Sequence, residues 1–185
     1  MSRLVLFVFF SVFCYNLIAQ APNADAPVTR EIGVRFSGFD DFNLFYKKAA
    51  SENVFIRHRF LFGSVAFNSN RNDIDIAFGY AIGKEKRKSI ADNLYFIHGL
   101  EYSFSFSHSN SELNQGSRIR NFFLTHRLGY VLGFQLDVST KVAISAEVIP
   151  TLGGTFALMS NADNQFLFDL GINTNATALS VMYRF

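Results

Sequence analysis

Strict alternation of bulky apolar residues with small or polar ones constrains this chain more than any other feature. From Ile74 to Gly83, the residues Ile74, Ile76, Phe78, Tyr80 and Ile82 interleave with Asp75, Ala77, Gly79, Ala81 and Gly83. A period of two puts two such sets on opposite faces of a β-strand. Leu94, Phe96, His98, Leu100, Tyr102, Phe104 and Phe106 alternate in the same way with Tyr95, Ile97, Gly99, Glu101, Ser103 and Ser105. Further runs start near Ile32, Ile56, Phe122, Val142, Phe166 and Leu179. Between them lie polar, turn-like clusters at Gly38 to Asp41, Lys47 to Asn53, Asn68 to Asp73, Lys84 to Asn93, Ser107 to Arg118, Asp137 to Lys141 and Ala157 to Asn164. The period predicts strands at 31–38, 42–48, 54–66, 73–83, 94–106, 119–136, 142–156 and 164–185. The chain is read as all-β, with sequential antiparallel neighbours.

The chemistry of the two faces decides which one is inside. The chain has 23 Phe and only 17% charged residues. An inward apolar set would overfill an eight-stranded barrel, whose interior just accommodates ordinary side chains. The opposite set is rich in Gly, Ala and Ser rather than the Lys and Glu that solubilise a surface. A soluble lipocalin-like barrel therefore fits poorly. A crowded polar lumen with an apolar exterior fits lipid, and closing the sheet satisfies every backbone group. The expected fold is an antiparallel up-and-down transmembrane β-barrel of eight strands. Tyr46, Tyr80, Tyr95, Tyr102, Tyr130 and Tyr183 are candidates for its interfacial aromatics.

The first residues read as an address. Arg3, the apolar run Leu4 to Phe13 and Ala19-Gln20-Ala21 have the layout of a cleaved signal peptide. Asn16 and Gln20 leave the run too short to span a bilayer as a helix. Residues 1–21 are thus expected to be the signal peptide and 22–185 the barrel. Cys14, the only cysteine, follows the bulky Phe13 and falls in the removed segment, which excludes disulfides and thiol chemistry from the rest. A net charge of +2 offers no field for nucleic acid.

The predicted inward set carries Arg35, Arg57, Arg59, Arg127 and Arg184 against Asp75, Glu101, Glu147 and Asp169. Charges confined to a narrow lumen should pair, because an isolated buried charge is very costly. A structural plug of ion pairs is preferred to an ion-selective track, since eight strands leave no aqueous channel. His58, His98 and His126 fall on the lipid-facing set, and His108 sits between Ser107 and Ser109. A third group to orient a Ser–His pair is missing nearby, so no catalytic residue is assigned. No spacing suggests a metal site, and no cofactor is implied. The run Lys84, Glu85, Lys86, Arg87, Lys88 reads as a solvated turn, with lipid phosphate or a periplasmic partner as the functional alternative.

The terminal ALSVMYRF, with Leu179, Val181, Tyr183 and Phe185 alternating, resembles the C-terminal assembly signal of bacterial outer-membrane β-barrel proteins. With the leader, the size, FNLFYKK (Phe42 to Lys48) and GKEKRKSIADNLYF (Gly83 to Phe96), the chain resembles small outer-membrane β-barrel domain proteins of the Bacteroidota. The resemblance implies an integral outer-membrane location, a periplasmic C-terminus, and contact with outer-membrane lipid, lipopolysaccharide and the barrel-assembly machinery. It implies no particular activity, because architecture holds the family together. The periplasmic end favours the strand set above over one in which a hairpin around Asn173 to Ala176 splits the last strand. Three functional classes follow: a structural, adhesive or partner-binding barrel, a lipid A-modifying enzyme, and a narrow channel.

Overall fold

The computed structural model describes residues 30–37, 42–61, 65–68, 73–112, 118–160, 163–171 and 177–185. The proposed leader, the Gly38 to Asp41 cluster, most of the Asn68 to Asp73 cluster, parts of the Ser107 to Arg118 and Ala157 to Asn164 clusters and the segment Asn173 to Ala176 lie outside them. The strands are β1 (Arg30–Phe36), β2 (Phe42–Ser51), β3 (Val54–Leu61), β4 (Val65–Asn68), β5 (Asp73–Ala91), β6 (Leu94–Glu112), β7 (Arg118–Asp137), β8 (Val142–Val148), β9 (Thr151–Met159), β10 (Gln165–Gly171) and β11 (Thr177–Arg184). Every pairing is antiparallel.

These segments form eight staves. β3 and β4 both pair with β5, β8 and β9 both pair with β7, and β10 and β11 pair with β9 and β8 respectively. The ring β1-β2-β3-β5-β6-β7-β8-β11 closes where β11 pairs with β1, Val181 opposite Val34. β10 and β11 run in the same direction, so the chain does not reverse between them. Pro150 separates β8 from β9 because it has no N–H to give the ladder, yet its carbonyl still accepts from Tyr130 N at 3.0 Å.

The staves are staggered. Directly opposed residues run from Ile32 through Tyr46, His58, Ile82, Tyr102, Leu128 and Leu152 to Leu170. Ile32 itself sits beside Tyr183, far down the same stave. A row followed from β1 toward β10 therefore climbs away from the chain termini, as tilted strands in a closed barrel must.

Arg30, where β1 starts, and Phe185 share one end, the terminal end, with the tight connections at 52–53, 92–93 and 138–141. Strands extend further into the polar clusters than alternation of unlike faces indicates. Lys47 to Ser51, Lys84 to Ala91, Ser107 to Glu112 and Ala157 to Met159 are all strand. The solvated-turn reading of Lys84 to Lys88 is corrected accordingly. Glu85 and Arg87 point into the lumen and are buried, while Lys84, Lys86 and Lys88 point outward and are exposed. Where a stave leaves the apolar belt both of its faces turn polar, so its composition imitates a loop.

Bulky residues face out on every stave, among them Ile32, Leu44, Phe60, Phe78, Leu100, Leu128, Ile144, Phe156, Phe168 and Leu179. Inside, a small apolar cluster of Phe45, Ala143 and Met182 sits among charged groups. Gly33 makes room for it, since a Cβ there would lie 2.9 Å from the Phe45 ring and 2.4 Å from Val181 O.

The β5–β6 turn closes on Asp92-Asn93, with Asn93 at φ 64°. Asn tolerates this left-handed backbone and a β-branched side chain does not. Asn93→Val is expected to lower the unfolding free energy of the barrel by about 1–2 kcal/mol, and with it the urea midpoint, with Asn93→Gly close to neutral. Equal midpoints for the two variants would contradict the turn geometry.

Candidate functional site

The inward positions of all eight staves supply charge to one connected network. Arg57 on β3 lies at its centre. Its Nη1 is 3.1 Å from Glu85 Oε2, its Nε 3.0 Å from Glu101 Oε2, and its Nη2 donates to Glu147 Oε2 at 2.8 Å. Lys47 Nζ lies 2.7 Å from Glu85 and 3.8 Å from Glu147. Arg59 donates to Glu101 at 2.5 Å. Glu85 leads to Arg87, whose guanidinium grips both oxygens of Glu31 at 2.8 and 2.6 Å and stacks 3.6 Å over the Phe55 ring. Arg184 on β11 bridges Glu31, at 3.0 Å, and Asp137. Ser145 donates to Glu147 at 3.2 Å, and Gln135 to Asp137 at 3.2 Å.

Lys47, Arg57, Arg59, Arg87 and Arg184 thus face Glu31, Glu85, Glu101, Glu147 and Asp137, a cation for each anion. Arg35, also buried, donates to Ser37 Oγ at 2.8 Å. Charged pairs hold in a dry interior only when their geometry and extra hydrogen bonds offset desolvation. Bidentate forks from Arg87 to Glu31 and from Arg184 to Asp137 supply such bonds, while Lys47 Nζ, Arg57 Nε and Glu101 Oε2 lie at ion-pair distance without hydrogen-bond geometry. Arg35, Lys47, Arg57, Glu31 and Glu85 are at most 1% exposed, so side chains rather than water fill this section of the lumen.

Of the residues picked out by alternation, the structure brings Arg57, Arg59, Glu101, Glu147 and Arg184 into the network. Arg127 meets Asp169 at 3.2 Å in a separate, half-exposed pair. Asp75 is exposed and in no ion pair among the described residues. Alternation missed Glu31, Lys47, Glu85, Arg87 and Asp137. Glu31 and Lys47 share the inward parity of strands 31–38 and 42–48 but went unselected, while extending 73–83 and 119–136 by a few residues at unchanged parity reaches Glu85, Arg87 and Asp137.

The outward histidines lie within strands. Each shares a hydrogen bond through Nδ1 with a tyrosine hydroxyl on the adjoining stave: His58 with Tyr80, His98 with Tyr130 at 3.2 Å, and His126 with Tyr102. Such a pair removes two unsatisfied polar groups from an apolar surface. Tyr80, Tyr102 and Tyr130 are thus partners of outward imidazoles, while Tyr95 falls on the inward set opposite Gln135. His108 lies within β6, and no group of three or more His, Cys, Asp or Glu able to hold a metal occurs among the described residues.

No family model and no curated protein matches the chain. Among solved structures it is similar to CarO of Acinetobacter baumannii, at 9% identity and a TM-score of 0.39, covering 89% of this chain and 100% of that one. It is also similar to Ail, the attachment invasion locus protein of Yersinia pestis, at 11% identity and a TM-score of 0.40, covering 85% and 95%. Acinetobacter baumannii CarO2 matches at 13% identity and a TM-score of 0.38, covering 86% and 97%.

Removing one partner from a buried ion pair strands the other. Glu85→Gln, which deprives Lys47, Arg57 and Arg87 together, is expected to destabilise the barrel by about 3–5 kcal/mol. Asp169→Asn, in the half-exposed pair, should cost under about 1 kcal/mol. Urea titration of the folded band in lipid vesicles measures both, and equal losses would show that the network is not the stabilising plug.

Proposed function

We propose that this chain is an integral outer-membrane β-barrel with a structural, adhesive or partner-binding role, exported by the leader at 1–21. One observation carries the reading: a closed barrel with bulky apolar side chains exposed on every stave and its charges gathered inside. Water would penalise that exterior, and a hydrocarbon layer accommodates it. The filled lumen argues against a conducting pore. His58, His98 and His126 are held by tyrosines rather than aligned with a nucleophile, which argues against their use in lipid A modification. Leu179, Val181, Tyr183 and Phe185 lie on one outward face, as an assembly signal read by barrel-assembly machinery requires. That signal, together with FNLFYKK and GKEKRKSIADNLYF, fits a small barrel of the Bacteroidota type.

Outer-membrane barrels keep short turns on the periplasmic side. The terminal end carries the tight turns here, so the opposite end of the staves is the one that faces outward from the cell. Binding in such a scaffold resides on loops held by a rigid frame.

The protein should fractionate with outer membranes and migrate faster before boiling than after it in mild SDS. Extraction into the soluble fraction by carbonate would refute the membrane reading, and steady planar-bilayer conductance would refute the plug. Deleting Phe185 should deplete the folded band, while Phe185→Tyr should preserve it. An epitope tag at Gln115 should be reachable on intact cells; a reachable tag at Asp92 with a silent one at Gln115 would invert the topology.

A further inference from the structure

The outer wall carries an open apolar groove of about 910 Å³ across β6, β7, β8, β11 and the end of β1. Its floor is low because Ala146 stands where neighbouring staves place Phe134 and Leu179. Two rows of directly opposed residues define its course. One runs Phe36, Leu179, Ala146, Phe134, Phe96 and reaches Lys88 on β5. The other runs Thr177, Val148, Leu132, His98 and reaches Lys86. Glu147 adds only backbone to the lining, since its carboxylate is held inside by Arg57 and Lys47.

Both rows thus end on an exposed outward lysine. Lys84 extends that edge, and none of the three lysines forms an ion pair among the described residues. Glu85, the one acid that alternates with them, points the other way and is buried in the lumen. The stagger of the staves sets the slope of the groove: from β5 toward β1 it rises away from the terminal end. Cations lie at the low end and the apolar trough climbs from there.

We propose that this groove holds an anionic glycerophospholipid of the periplasmic leaflet, one acyl chain along the trough and its phosphate between Lys86 and Lys88. The proposal rests on the outer-membrane reading above. From Phe96 to Phe36 the trough crosses four inter-strand steps of roughly 4.8 Å, about 19 Å in all, which suits a single long acyl chain. The polarity also matches, since a lipid of that leaflet has its head at the terminal end and its chain pointing toward the mid-plane. Lysine stems lie along apolar surface while the ammonium reaches the phosphate layer.

The test uses the chain without its leader, refolded in a neutral maltoside detergent. Heat-modifiable migration is read first, and its absence would refute the barrel itself rather than the groove. Native mass spectrometry then counts bound phosphatidylglycerol and phosphatidylcholine of identical chains. Phosphatidylglycerol should be retained preferentially, and K86Q/K88Q should lower its affinity about tenfold or more while leaving phosphatidylcholine unchanged. Ala146→Phe, which fills the trough, should weaken both lipids; Ala146→Leu serves the same purpose if the larger ring impairs folding. Unchanged lipid binding in folded K86Q/K88Q or in the folded Ala146 variant would overturn the proposal. So would an equal loss per charge in R120Q, which removes an exposed cation at the opposite end of β7, because binding would then follow overall charge.

Discussion

The whole structure depends on the backbone hydrogen-bond requirement of a sheet whose outer face is apolar. An amide that cannot reach water must find its partner in the next strand, and an edge has none to offer. Closure is the only general solution, and β11 supplies it by pairing with β1. The other features follow from that ring. Tilt and stagger come with closure, parity along each stave becomes fixed, and one side-chain set is committed to the exterior for the full circumference.

Closure also creates an interior too narrow for bulk water and too long for a purely apolar filling from Gly, Ala and Ser positions. The chain fills it with long charged side chains whose stems pack and whose ends pair. Phe45 and Phe55 lie beneath Lys47 and Arg87, so aromatic faces support the cations as carboxylates neutralise them. The outside follows the same rule on a smaller scale, where each His–Tyr pair meets its polar demand locally across one strand gap.

Much of this can be read from the order of residues alone. Eight staves, the inward parity of Arg57, Arg59, Glu101 and Glu147, and the outward parity of Phe78 or Leu100 follow from a period of two. Strand ends are harder. In Lys84-Glu85-Lys86-Arg87-Lys88 both faces are charged, and a pattern that depends on unlike faces vanishes although the backbone continues. Partners are harder still, because parity names a face but not a height. Asp75 and Glu101 share a parity, yet only Glu101 lies level with Arg57. His58 and Tyr80 are similarly offset, and only the register of β3 on β5 shows that they meet.

The contact between Arg184 and Glu31 spans 153 residues of chain. The first strand of the ring thus waits for the last to be delivered, and no intermediate lacking β11 can bury Glu31 as the finished barrel does. Folding that hinges on so distant a pairing carries a large loop-closure entropy and is slow by nature. During that delay β1 keeps an unpaired edge and the apolar faces lack their final environment, conditions that favour aggregation. Closing the ring through β1 and β11 therefore leaves the newly made chain dependent on being kept apart from its own copies until that pairing forms.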